Sequence, residues 1–228
     1  MLRIRNHLHT RILHSAVREQ NRTHEARVRE RTEELERTAA EVPERLTRAA
    51  ELRDDDTGLH TRRVGELAAT LTRRLGPDEA EARTLAIAAT LHDIGKIGVP
   101  DSVLLKPGKL TEPERLLIQT HTMIGARILA DGSSEVVRLA EQIALCQHER
   151  GDAAGYPRGL AGEDIPPPRI VALADVYDAL SSDRPYRAAW PLPKVLDEIR
   201  SLRGTHFDPR VVDAFMAEAE HTAPAAAA

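Results

Sequence analysis

Residues 91–111 read LHDIGKIGVPDSVLLKPGKLT and directly follow the apolar run LAIAAT. A segment patterned for a core thus ends on His92 and Asp93, with Lys96 three residues further on. Upstream, Val64, Leu67, Ala68, Leu71 and Leu75 recur at three-and-four spacing, and Gly76-Pro77 closes that helix. Asp78 is placed to cap a second helix through EAEARTLAIAATLHD. Downstream, Thr111 with Glu114 forms a capping box that opens one helix through EPERLLIQTHTMIGARILA. Ser133 or Ser134 opens another through EVVRLAEQIALCQHE. The stretch 150–168, RGDAAGYPRGLAGEDIPPP, holds four glycines and four prolines and reads as a loop. After it RIVALADVYDALSS, PKVLDEIRSL and PRVVDAFMAEAE return to helical spacing. No segment alternates apolar and polar residues in the manner of a half-buried strand, so the predicted fold class is all-α.

The chain before this domain has another character. Residues 6–42 are strongly charged and lack glycine and proline, while Val28, Leu35 and Val42 recur every seventh position with Ala39 between the last two. That pattern predicts a long linker helix, either pairing with a second copy or solvated as a single helix, broken or bent at Pro43. The expected organisation is a helical linker over 1–50, a globular domain over 51–219 and a flexible tail over 220–228.

Composition narrows the functions. Thirty-two basic against 36 acidic residues give a net charge of -4, which supplies no general attraction to nucleic acid or to anionic membrane. The single cysteine, Cys146, cannot close an internal disulfide, and no apolar run approaches the roughly 20 residues of a membrane span. The N-terminus MLRIRNHLHTRILHS is interrupted by Arg3, Arg5, His7 and His9 and does not read as a secretory signal. A soluble cytoplasmic chain is expected.

Of the ten histidines, four fall in the first 24 residues and read as solvent-facing. His60, His92, His121 and His148 instead sit among core-type residues, as do Asp93 and Asp175. Burying that many imidazoles and carboxylates in one small helical domain is costly unless they are paired or ligate a cation. Imidazole with carboxylate and without thiolate suits iron, manganese or zinc and does not choose among them. The adjacent pair has a further use, since His92 can bind one ion while the two oxygens of Asp93 bridge to a second, and paired ions can clamp a phosphoryl oxygen.

Five stretches, in order, then resemble one family. They are DDDTGLHTRRVGELA at 54–68, HDIGKIGVPDSVLLKPGKLTEPE at 92–114, THTMIGARIL at 120–129, QHERGDAAGYPRGLAGEDIP at 147–166 and RIVALADVYDALSSDRPYR at 169–187. The sequence resembles the HD-GYP branch of the HD-superfamily phosphohydrolases, associated with hydrolysis of the bacterial second messenger cyclic di-GMP to pGpG and GMP. The resemblance implies an HD-domain helical bundle with an irregular GYP loop and two divalent ions, iron or manganese. It implies that His60, His92, Asp93 and Asp175 hold one ion, and that Asp93, His121 and the paired histidines of a His-His-Glu motif hold the other. Asp56 matches an acidic position that, as glutamate, helps hold a third ion in some members. Lys96 matches a lysine near the scissile phosphate, and Tyr156, Arg184, Tyr186 and Arg187 are implied to lie near the substrate.

The departures are equally specific. Gln147-His148-Glu149 stands where the family has His-His-Glu, so one implied ligand is an amide, a poorer donor to a transition metal than imidazole. Gly151 and Ala153 stand where the family commonly has tryptophan and glycine. The alternative function is therefore a weakened or inactive domain that binds cyclic di-GMP or a partner protein without hydrolysis. LRIRNHLHTRILH followed by VRERTEEL resembles the linker between a phospho-receiver and an HD-GYP output domain in two-component response regulators.

Overall fold

In a computed structural model of the protein, residues 2–51, 53, 59–166, 169–183 and 188–222 are described. The chain divides into two units, Met1–Val42 and Pro43–Ala228. The first is the greater part of helix α1 (Leu2–Glu51), where the described side chains from Val17 to Thr32 are exposed, Val28 among them. Of the break or bend predicted at Pro43, the break does not occur: the helix continues through it to Glu51. Proline costs that helix one backbone bond, and what compensates is burial: Pro43, Thr47 and Ala50 are all buried.

The second unit is all-α. Its elements are α2 (Leu59–Leu75), α3 (Glu79–Ala89), a 3-10 turn (Ile94–Gly98), α4 (Asp101–Leu104), α5 (Glu112–Gln119), α6 (His121–Leu129), α7 (Glu135–Cys146), a second 3-10 turn (Gly162–Asp164), α8 (Ile170–Ser181), α9 (Leu192–Ser201) and α10 (Pro209–Thr222). Among the described residues there is no strand, only the isolated bridges Asp152 with Ala161 and Arg203 with Phe207. Helix α2 packs on α3, α8 and α10, α7 packs on α3 and α6, and α6 lies against the first 3-10 turn. The fully buried side chains Val64, Leu71, Leu91, Ile143, Val171, Leu173, Val195, Ile199 and Val212 form the centre. Each is worth about 1.5–3 kcal/mol of burial.

The predicted caps are present, though several helices are shorter than their sequence patterns. Asp78 and Glu81 form a reciprocal capping box on α3, Thr111 and Glu114 do so on α5, and Ser134 accepts from the Val137 amide at the start of α7. Helix α3 ends at Ala89, so His92 and Asp93 lie in the turn beyond it rather than in its last turn. The single helix predicted over 112–130 is two, divided at Thr120. There the hydroxyls of Thr120 and Thr122 donate to the carbonyls of Leu117 (2.6 Å) and Gln119 (3.0 Å), and His121 Nδ1 lies 2.7 Å from the Ile118 carbonyl. Side chains thus compete with the backbone ladder over three consecutive residues.

Candidate metal centre

Asp93 sits where five segments meet. His60 comes from α2, His92 and Asp93 from the turn after α3, His121 is the first residue of α6, His148 follows the end of α7, and Asp175 lies within α8. Gly95 makes the meeting geometrically possible. A Cβ there would stand 1.8 Å from the His121 carbonyl oxygen and 2.4 Å from the Gly125 nitrogen, so only glycine lets the HDIGK turn lie against the start of α6.

The two oxygens of Asp93 face different imidazoles. Oδ2 is 3.3 Å from His92 Nε2, and Oδ1 is 3.3 Å from His121 Nε2. Asp175 Oδ1 is 3.3 Å from His60 Nε2 and 4.0 Å from His92 Nε2. Two sets of donor atoms result, His60 with His92 and Asp93, and Asp93 with His121 and His148, each lying within 4.8 Å of one another. Asp93 belongs to both.

Each imidazole is oriented through its other nitrogen. Nδ1 of His92 is 2.8 Å from the Ala89 carbonyl, and Nδ1 of His121 bonds the Ile118 carbonyl. Nδ1 of His60 is 2.7 Å from Asp178 Oδ2, and Asp178 in turn accepts from Arg63 through Nε and, at 2.9 Å, through Nη2. All three rings therefore aim Nε2 inward. Nε2 of His92, Nε2 of His121 and Oε1 of Gln147 are buried with no hydrogen-bond partner among the described residues. Leaving such atoms unsatisfied costs about 1–3 kcal/mol each. Three orphaned donor atoms around a shared carboxylate are what a cation would satisfy, and a His/Asp set fits a divalent metal.

The electrostatics differ across the centre. Burial opposes charge on His60, but hydrogen bonds to Asp175 and Asp178 outweigh it and raise its pKa to about 10. His92 is likewise raised, burial being outweighed by Asp93. Asp175 is held at about 2, burial being overcome by the bond to His60. Asp93 is held well below the carboxylate range, Lys96 and His92 prevailing over its burial. His148 goes the other way: burial depresses it to about 4, so its imidazole is neutral at pH 7.

Lys96 is not a surface lysine on a helix end, since its Nζ lies 2.8 Å from Asp93 Oδ2. Gln147, at the family histidine position, is buried. Its Nε2 donates to the His92 carbonyl (2.9 Å) and to Asp93 Oδ1 (3.2 Å). The amide therefore spends its donor on the shared carboxylate. His148 stacks on Tyr156 at 4.7 Å and meets His121 edge-on at 5.1 Å. Glu149, also buried, accepts from the amides of Arg158 and Leu160, both at 2.8 Å, and so pins the far side of the GYP loop. The loop folds back so closely that a Cβ on Gly155 would stand 2.4 Å from the His148 carbonyl oxygen. Ala153, where the family has glycine, adopts φ 63°, a left-handed conformation that costs a non-glycine residue about 1–2 kcal/mol.

The structure thus brings His60, His92, Asp93, Lys96, His121, Gln147, His148, Tyr156 and Asp175 together. Asp56, Arg184, Tyr186 and Arg187 lie outside the described residues. Asp178 and Arg63 were not singled out in the sequence, although each stands three residues beyond a candidate ligand, Asp175 and His60, on the same helix face.

Residues 19–211 match the HD domain family. The chain is 43% identical over 215 residues to the cyclic di-GMP phosphodiesterase response regulator RpfG of Xanthomonas campestris, covering 94% of this chain and 57% of that protein. It is 47% identical over 177 residues to a cyclic di-GMP phosphodiesterase of Thermotoga maritima, covering 77% and 48% respectively. A solved cyclic GMP-AMP specific phosphodiesterase of V. cholerae superposes with TM-score 0.60 at 22% identity, over 80% of this chain and 49% of that one, which shows the shared fold. The chain belongs to the HD-domain family, in its HD-GYP branch. It spans about half the length of the curated relatives it matches. No helix of the described residues is long and apolar enough to cross a membrane.

Proposed function

We propose that this chain is a metal-dependent phosphodiesterase that opens cyclic di-GMP to linear pGpG, and on to GMP, in bacterial second-messenger signalling. The observation that carries the reading is the shared Asp93, whose two oxygens face two imidazoles with buried Nε2 atoms that make no hydrogen bond among the described residues. His60, His92, Asp93 and Asp175 would hold one divalent ion, and Asp93, His121 and His148 a second, with Gln147 a weak contributor and Asp56 a further acidic candidate. Iron or manganese suits these donors. When bound, such ions supply Lewis acidity toward the phosphoryl oxygens.

The remaining work falls to the protein. Water adds to phosphorus as the P–O3′ bond breaks, and the departing 3′ oxygen needs a proton. Lys96 is placed to donate it or to offset charge developing on the phosphoryl oxygens. Tyr156, stacked on His148, is a proposed substrate contact, and Arg184, Tyr186 and Arg187 are further ones. Asp178 positions His60. The chain would work in the cytoplasm and pair with a second copy through its N-terminal helix.

Gln147 favours a second reading, a domain that binds the dinucleotide or a partner and signals without turnover, because its amide engages the shared carboxylate. Protein loaded with manganese or iron and given cyclic di-GMP is expected to release pGpG. No turnover with any metal, together with turnover in Gln147→His, would overturn the enzymatic reading for the natural chain and support the second.

A further inference from the structure

The last turn of α1 is tied to the segment that carries His92, Asp93 and Lys96. Thr47, buried, donates its hydroxyl to the Thr90 carbonyl at 3.0 Å, two residues before His92. Arg53 follows the helix, and its amide bonds back to the Ala50 carbonyl at 3.2 Å. Its guanidinium then reaches across more than forty residues. Nη1 donates to the carbonyls of Lys96 (3.4 Å) and Ile97, and Nη2 donates to the Val99 carbonyl (2.9 Å) and to Asp101 Oδ1 (2.6 Å).

These acceptors lie at and just beyond the C-terminal end of the 3-10 turn Ile94–Gly98, with the carboxylate at the first residue of α4. Carbonyls at a helix end lack intrahelical donors, and a cation there also answers their partial negative charge. One planar, five-donor side chain thus closes the turn on which Lys96 stands, a role a lysine could not fill. Inside the turn Lys96 meets Asp93 at 2.8 Å. Both ends of residues 90–99 are consequently held from the end of α1 and the turn after it, Thr47 at the first and Arg53 at the second.

We propose that Arg53 is a positioning residue for Lys96, and that through Arg53 and Thr47 the end of α1 sets the placement of the turn bearing His92, Asp93 and Lys96. A change in the angle or register of α1 would then reach the metal centre by direct hydrogen bonds rather than through the bulk of the domain. The consequence for turnover rests on the phosphodiesterase reading; the positioning itself does not.

The test uses the full chain with Arg53→Gln, Thr47→Val and Arg53→Gln combined with Lys96→Ala. In Arg53→Gln, amide exchange across 94–99 should rise about tenfold or more while α8 and α10 exchange as in the parent. Bound metal should be unchanged. Cyclic di-GMP hydrolysis should lose on the order of 10- to 100-fold in kcat with little change in KM. Added ethylguanidinium should restore part of it, and Arg53→Gln should have no further effect once Lys96 is gone. Thr47→Val should show a smaller rise in exchange, confined to 90–93. Unchanged exchange at 94–99, or exchange raised throughout the domain, overturns the proposal. If the parent chain hydrolyses nothing, the function is at fault and the exchange results still decide the positioning.

Discussion

The two sides of Asp93 are built differently. On one, His60 and His92 face Asp175 and Asp93; those carboxylates raise both imidazoles above their ordinary pKa, His60 to about 10. His60 is further backed by Asp178 and Arg63. On the other, His148 is neutral at pH 7, its support is the ring of Tyr156, and an amide replaces the family imidazole. The first side balances its buried carboxylates with protons that a metal must displace. On the second, His148 has no proton to surrender at neutral pH and Gln147 brings no charge with which to attract a cation. One shared carboxylate therefore joins a donor set in which His60 is proton-competed to a set in which His148 is already neutral.

Replacing Asp93 removes what the sides share, and Asp93→Ala should produce the largest effect. Metal uptake on both sides is expected to weaken by more than the roughly 100-fold upper range seen for loss of an outer partner, measured by elemental analysis and calorimetry. Retention of one full equivalent would break the shared-ligand picture. Asp178→Asn should weaken only the His60 side, by about 10- to 100-fold, because it leaves that imidazole without its carboxylate. An equal loss in both equivalents would mean that Asp178 supports the fold and not the ligand. Gln147→His should tighten the weaker equivalent by about tenfold or more and leave the tighter one unmoved. In manganese-loaded protein the same change should strengthen the spin-coupled signal of paired ions.

Proton competition gives the subtlest discrimination. His60 has a pKa of about 10, so below that value binding on its side must release a proton, and affinity there should rise about tenfold per pH unit for each proton displaced. His148, at about 4, adds no such slope at neutral pH. The linkage also acts on folding without metal. The raised pKa of His60 contributes stability that is complete below its ordinary 6.5 and is lost as pH climbs through about 10. The depressed pKa of Asp178 contributes stability that is present above its ordinary 3.8 and is lost as pH falls toward about 2. Thermal melts across pH, with and without metal, should show the alkaline loss only in the metal-free protein. An alkaline loss of the same size with metal bound would place the His60 proton outside the ligand set.

Much of this was legible in the sequence because local rules govern it. Capping residues and three-and-four spacing located the domain helices, and the clustering of core-type histidines with Asp93 and Asp175 pointed to one centre. What escaped was decided by contacts remote in sequence. Pro43 reads as a helix breaker, yet burial of its own turn carries α1 through it. Thr120, His121 and Thr122 read as helix interior, yet their side chains take the carbonyls the helix needs. Arg63 and Asp178 stand 115 residues apart in sequence, and only the fold brings them into direct contact.

Residues 147, 148 and 149 point to three different neighbours: the HDIGK turn, the GYP tyrosine and the outer arm of its loop. A backbone displacement at this tripeptide would move all three at once. The GYP loop and the histidine–aspartate cluster consequently share a single mechanical pivot, and a change that suits one of them has to be accommodated by the other.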